Sequence, residues 1–227
     1  MKTGGVKLRK LLTVSNNCLT NPVSYCNGLV CLSLVVSHRR LIKIVNPSRR
    51  QTLITYPPIK LVQSIKGHGF GFDSLTKEYK VVCIVKELEC PLVYTLGTNS
   101  SWREITDPYP LSIPIRNRKY AKSAVSCNGA LYWRCDNPLL MLSFDLHDEK
   151  FQYIEVPVEC DWTEHIWVHY LEYKGYLCFA RLEKFGSQNC KVHMHMLKDK
   201  IKQIWIKETF VVPFRCDHDT HIMCFCD

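Results

Sequence analysis

Acidic side chains are missing from the first third of this sequence. Residues 1–72 contain eleven Lys or Arg and no Asp or Glu. Residues 73–227 hold nineteen basic and twenty-one acidic groups, so the net charge of +9 originates entirely in that first stretch. Such asymmetry marks a face for nucleic acid, for an acidic partner or simply for solvent, and a solvated basic edge is the plainest of the three. Long apolar runs are missing too. The longest, Gly28 to Val36, is far short of the roughly 20 residues that span a membrane, so no membrane partner is expected. Lys2, Lys7, Arg9 and Lys10 precede only Leu11, Leu12 and Val14, too little apolar sequence for an export signal. Ten Gly and eleven Pro are too few for a collagen-like or linker-like chain.

Helical periodicity is absent from every window of eleven or more residues, and prolines spaced through the chain would interrupt long helices. Catalytic signatures are equally scarce. There is no G-x-S-x-G elbow and no Gly-Lys-Ser/Thr. Gly67-His68-Gly69-Phe70-Gly71 lacks the spacing of a phosphate loop and reads better as small residues where a strand approaches an axis. The expectation is a chain with no catalytic residues and no cofactor.

Cysteine, by contrast, is plentiful. Thirteen are present, and without an export signal they are expected to be reduced, mostly buried, and to mark a cytoplasmic and/or nuclear protein. Cys83 within Val81-Val82-Cys83-Ile84-Val85 fits a buried thiol. Two groupings raise the question of zinc. The tail from Cys216 to Cys226 holds thiols and imidazoles, but its spacing matches no standard finger. His193 and His195, two apart, share one face of a strand, where the polar side of an amphipathic strand is the commoner reading. No metal site is expected.

What the sequence does contain is a repeat. Tyr25-Cys26-Asn27-Gly28-Leu29-Val30-Cys31-Leu32 is similar to Ser126-Cys127-Asn128-Gly129-Ala130-Leu131-Tyr132-Trp133, with a weaker third copy at Tyr170 to Cys178. Gly69-Phe70-Gly71-Phe72-Asp73 opens a unit between the first two. Pro57, Pro108, Pro157 and Pro213 close successive units at intervals of about 50 residues. Each unit reads as two hairpins. Asn27-Gly28 and Asn128-Gly129 suit type I′ turns, which need positive φ at both central residues. Four strands in a period of about 50 is the signature of a kelch-like propeller blade. Units over 24–58, 69–108, 123–157 and 168–213 predict an all-β, kelch-like β-propeller, or an incomplete one, of about four four-stranded blades.

In order along the chain, these motifs resemble the F-box associated domain of plant F-box proteins. The residues that carry the likeness are Val23 to Leu32, Val45-Asn46-Pro47-Ser48-Arg49-Arg50, Gly69 to Val82, Tyr94-Thr95-Leu96 with Ser101-Trp102-Arg103, Val125 to Trp133, and Asp145 ahead of Phe151. In that family an N-terminal F-box docks onto the Skp adaptor of a cullin–RING (SCF-type) ubiquitin ligase, and the associated domain captures the protein to be ubiquitinated. The resemblance therefore implies a protein-interaction module. Residues 1–22 show neither the Leu-Pro opening nor the helical stripe of an F-box, so that half is expected to be lacking and adaptor docking is left in doubt. The expected organisation is an arm over 1–22, the propeller-like domain over 23–213 and a tail over 214–227.

Binding then falls to loops and turns on the blades, where Arg and aromatic residues are the usual anchors. Arg39, Arg40, Arg49 and Arg50 in the first unit, with Trp162 and His165 in the connection before the fourth, are the candidate partner-binding residues. Trp167 and Tyr170 read as core. The same arginines would serve a basic nucleic-acid-binding β-protein, the alternative reading, but no stacking aromatic motif accompanies them.

Overall fold

The computed structural model describes residues 19–20, 24–36, 39–58, 65–85, 91–97, 100–105, 122–160, 168–185 and 189–213. Four sheets succeed one another along the chain. In the first, β1 (Leu19–Thr20) and β2 (Ser24–Cys26) both pair with β3 (Leu29–Val36), followed by β4 (Arg39–Asn46) and β5 (Gln51–Thr55). The second contains β6 (Ile65–Asp73), β7 (Glu78–Val85), β8 (Leu92–Thr95) and β9 (Trp102–Glu104). A short β10 (Lys122–Ser123) lies parallel to β6 before the chain enters the third sheet. That sheet is built from β11 (Val125–Cys127), β12 (Ala130–Arg134), β13 (Leu140–Asp145) and β14 (Phe151–Glu155). The fourth holds β15 (Val168–Tyr173), β16 (Tyr176–Phe185), β17 (Asn189–Asp199) and β18 (Ile204–Val212). Among the described residues the only helical segment is a 3-10 turn over Val158–Cys160. The sheets are the blades of a propeller, antiparallel throughout except for the β10 crossover.

Two turn chemistries recur and set the strand ends. Asn27-Gly28, Asn128-Gly129 and Lys174-Gly175 each have positive φ at both residues, the type I′ requirement, and each joins the first two strands of its blade. The second device is a four-residue turn opened by Asn or Asp and closed by a left-handed residue. Asn46, Asp73, Asp145 and Asp199 each accept backbone N–H bonds through Oδ1. Arg50, Lys77, Glu149 and Gln203 then adopt positive φ.

Blades 2 and 3 bury both faces because each lies between two neighbours. Cys31, Ile42 and Ile44 of blade 1 pack with Phe70, Val81, Cys83 and Tyr94 of blade 2. Val82, Ile84 and Val93 on the opposite face of blade 2 meet Leu131, Trp133, Leu142 and Phe144 of blade 3. Tyr132, Met141 and Ile154 then meet Leu177, Phe179 and Leu197 of blade 4. Alternation along each strand sends successive side chains to successive interfaces.

The inner strands converge most closely at β6. A Cβ on Gly69 would lie 2.7 Å from Leu131 Cδ1 and 2.9 Å from Ala124 Cβ. One on Gly71 would lie 2.7 Å from both Leu146 Cδ1 and Ser126 Oγ. The glycine-rich run is thus a strand against which blade 3 leans. Trp133 Nε1 donates to the His68 carbonyl at 3.1 Å across the same seam.

Two expectations are corrected here. His193 and His195 do not form a solvent-facing polar side of β17. That face turns toward blade 3, so His195 is buried, and His193 bonds Glu183 through Nε2 at 2.7 Å and Thr209 through Nδ1 at 3.1 Å. The cysteines are not uniformly reduced either. Cys26, Cys31, Cys83, Cys127, Cys135, Cys160 and Cys178 are free thiols, but Cys190 is disulfide-bonded. Burial pushes the Cys83 thiol up to about 12, and the buried thiols pack as small apolar groups.

Candidate protein-interaction surface

Two places on the described surface bear on binding. The first is a cleft of about 350 Å³ where blade 2 meets blade 3, lined by Arg103, Glu104, His147, Asp148, Glu149 and Lys150 among others. Three of these side chains, Arg103, His147 and Glu149, are already engaged. Arg103 grips Glu149 with both guanidinium nitrogens, at 2.8 and 2.5 Å. Lys80, almost wholly buried, donates to Glu149 Oε1 at 2.9 Å and to the Leu146 carbonyl at 2.6 Å. His147 Nδ1 lies 3.2 Å from Asp73 Oδ2. Burial works to raise the Asp73 pKa, but hydrogen bonds from Thr76, Leu75 and His147 outweigh it and hold the carboxyl down to about 2. This network fastens two blades together.

The second place is the rim of blade 1. Arg49 and Arg50 occupy the β4–β5 turn and are exposed. Arg39, exposed, opens β4. Arg40 departs from the expectation of a surface contact. Adjacent strand residues face opposite ways, and Arg40 points with Ile42 and Ile44 toward blade 2. It is 8% exposed, donates to Ser33 Oγ at 2.9 Å, and burial lowers its pKa. A partner meeting blade 1 would find Arg39, Arg49 and Arg50, not Arg40. Trp162 and His165 lie outside the described residues, as do Trp167 and the zinc-like tail. Tyr170 packs against the blade 3–4 core, with the Arg134 guanidinium 4.1 Å from its ring centre.

The family model for the F-box associated beta propeller domain matches residues 3–226. The chain belongs to this family. Several F-box proteins of Arabidopsis thaliana are similar to it. "Putative F-box protein At4g38870" is 32% identical over 203 residues, covering 82% of this chain and 44% of that protein. "Putative F-box protein At1g46984" is 30% identical over 197 residues, 86% of this chain and 48% of its own length. "F-box protein At5g65850" is 28% identical over 200 residues, 85% and 48% respectively. The chain therefore spans about half the length of the relatives it matches.

In this F-box associated domain the sequence missed a group of apolar residues beside the basic rim. Leu53, Ile54 and Tyr56 are 39%, 50% and 56% exposed along and just after β5. Their signal was the short run Leu53-Ile54, apolar at both parities, immediately after the Arg49-Arg50 turn. A strand buried on one face should alternate, and this one does not because both its faces are open.

Proposed function

We propose that this chain is the partner-capturing part of an F-box subunit of an SCF-type ubiquitin ligase. It holds a protein on the propeller rim while an F-box supplies attachment to the Skp adaptor. The chain itself makes and breaks no bond; its contribution is placement of a protein near the ubiquitin-transfer machinery. Cytoplasmic and/or nuclear localisation goes with this reading. The observation that carries it is membership of the F-box associated domain family, with relatives named as F-box proteins of about twice the length.

The test is reconstitution. The chain is prepared alone and fused behind an F-box, and each form is assayed for adaptor binding and for capture of a plant protein. The fusion should bring adaptor and captured protein into one complex, while the unfused chain captures the protein alone. Adaptor binding by the unfused chain would overturn this division of labour.

A further inference from the structure

Each blade ends in an outer strand whose free edge could pair with another chain, and three of the four edges are guarded. β9 is only three residues long. β14 is occupied: Gln203 Oε1 accepts from Glu155 N at 2.8 Å, and Trp205 Nε1 donates to the Glu155 carbonyl at 2.9 Å. β18 carries the exposed charges Lys207 and Glu208. Short strands, covered groups and charges are the usual devices that stop edge-to-edge pairing. The β5 strand lacks them except at its last residue, Thr55, whose Oγ1 accepts from Trp102 Nε1 of blade 2 at 2.8 Å; Gln51 to Ile54 stay exposed. Gln51-Thr52-Leu53-Ile54-Thr55 contains no charge and no proline, runs in continuous register with β4, and pairs with β4 alone among the described residues.

Cations lie near that edge. Arg49 and Arg50 stand at its start. Lys43 is opposite Ile54 in the register, and Arg39 lies on the same face of β4 as Lys43, the face turned away from blade 2. None of the four has a carboxylate partner among the described residues, and residues 1–72 contain no acid to supply one.

We propose that β5 is a strand-addition site for an extended, acidic segment of a protein partner. The inference rests on the reading of the chain as a capture module and names the chemistry captured. The edge N–H and C=O groups of β5 would pair with the incoming backbone. Leu53 and Ile54 would contact alternate side chains, and the flanking cations would select Asp and Glu. A second copy of this chain is a poor occupant. In antiparallel pairing of two β5 strands, Arg49 and Arg50 of each would lie beside Pro57 and Tyr56 of the other, with no carboxylate in residues 1–72 to meet them. Nucleic acid would use the cations but not the backbone edge or the aliphatic side chains.

The probe is a fluorescein-labelled octapeptide alternating Glu and Val, read by anisotropy with the full chain. The comparison ligands are the same peptide N-methylated at every second residue, a Lys–Val octapeptide and a single-stranded oligodeoxynucleotide of eight bases. The variant is R49E/R50E. The corresponding positions in blade 3 are Asp148 and Glu149, with Glu149 at φ 55, so the turn accepts acids in this conformation. The Glu–Val peptide should bind and weaken with added salt. The N-methylated and Lys–Val peptides, and the variant with the parent peptide, should each be at least tenfold weaker. Equal binding of the parent and N-methylated peptides overturns strand addition. Preference for the oligonucleotide overturns the protein partner. If the peptide fails to bind while the F-box fusion still captures its protein through R49E/R50E, the β5 site is overturned and the capture reading stands.

Discussion

Asp73 shows how one side chain serves local and long-range structure together. Its Oδ1 accepts from Leu75 N at 2.9 Å and Thr76 N at 3.4 Å, closing the β6–β7 turn. Its Oδ2 accepts from Thr76 Oγ1 at 2.7 Å and faces His147 of blade 3. These bonds favour the charged form, so the carboxyl falls from 3.8 to about 2 despite its burial. A carboxyl whose folded pKa is depressed stabilises the fold above its unfolded pKa and loses that contribution as pH falls through the folded value. Asp73 should therefore contribute about 2 kcal/mol at neutral pH, lost between pH 4 and about pH 2. Urea denaturation of the native chain and of Asp73→Asn at several pH values checks this. Asn keeps an oxygen for the turn, so the difference between the two should be present at pH 6 and nearly gone at pH 2. A difference independent of pH would refute the assignment.

Elements were legible in the sequence where turn chemistry fixes them and obscure where a neighbouring blade does. Asn27-Gly28 and Asn128-Gly129 forecast their hairpins because positive φ at two successive residues leaves few alternatives. The glycines of β6 could be read as a close approach, though only the fold shows that blade 3 is what approaches. The β10 crossover was invisible, since two residues display no alternation. Arg40 was misjudged for a related reason: composition groups it with Arg39, while strand parity separates them. Of the candidate binding residues that the structure describes, Arg49 and Arg50 lie in a turn, Arg39 opens a strand and Arg40 is buried. The blade-to-blade contacts of β14 were equally hidden, because Gln203 and Trp205 lie a full repeat away from Glu155. They make a sharp test at this scale. Gln203→Ala should leave Glu155 N without its acceptor, cost about 1 kcal/mol and speed hydrogen exchange at that amide. Unchanged exchange at Glu155 would show that the Gln203 bond does not guard the edge.

At the scale of the whole molecule, stability comes from blade interfaces, since a blade cannot bury both faces alone. Propellers share this with other repeat architectures, in which each unit contacts its neighbours and stability is close to a sum of unit and interface contributions. The blade 2–3 interface combines an apolar core, Val82, Ile84, Trp133 and Phe144, with a buried cation at its margin. Lys80 Nζ is held by the Leu146 carbonyl and Glu149 Oε1, with Asp73 Oδ2 3.9 Å away. Replacing Lys80 by Met keeps most of the aliphatic stem but strands a carbonyl and two acids that shared the cation. Breaking a buried pair by removing one partner typically costs about 3–5 kcal/mol. Arg103 and His147 still compensate Glu149 and Asp73, so the low end of that range is expected. The loss should be regional. Amides of β7 and β13, on either side of the seam, should exchange faster, while those of β17, beyond the blade 3–4 interface, should change least. Uniform acceleration across all four sheets would mean that the blades unfold as a single unit, and an interface-by-interface account of this fold would then be wrong.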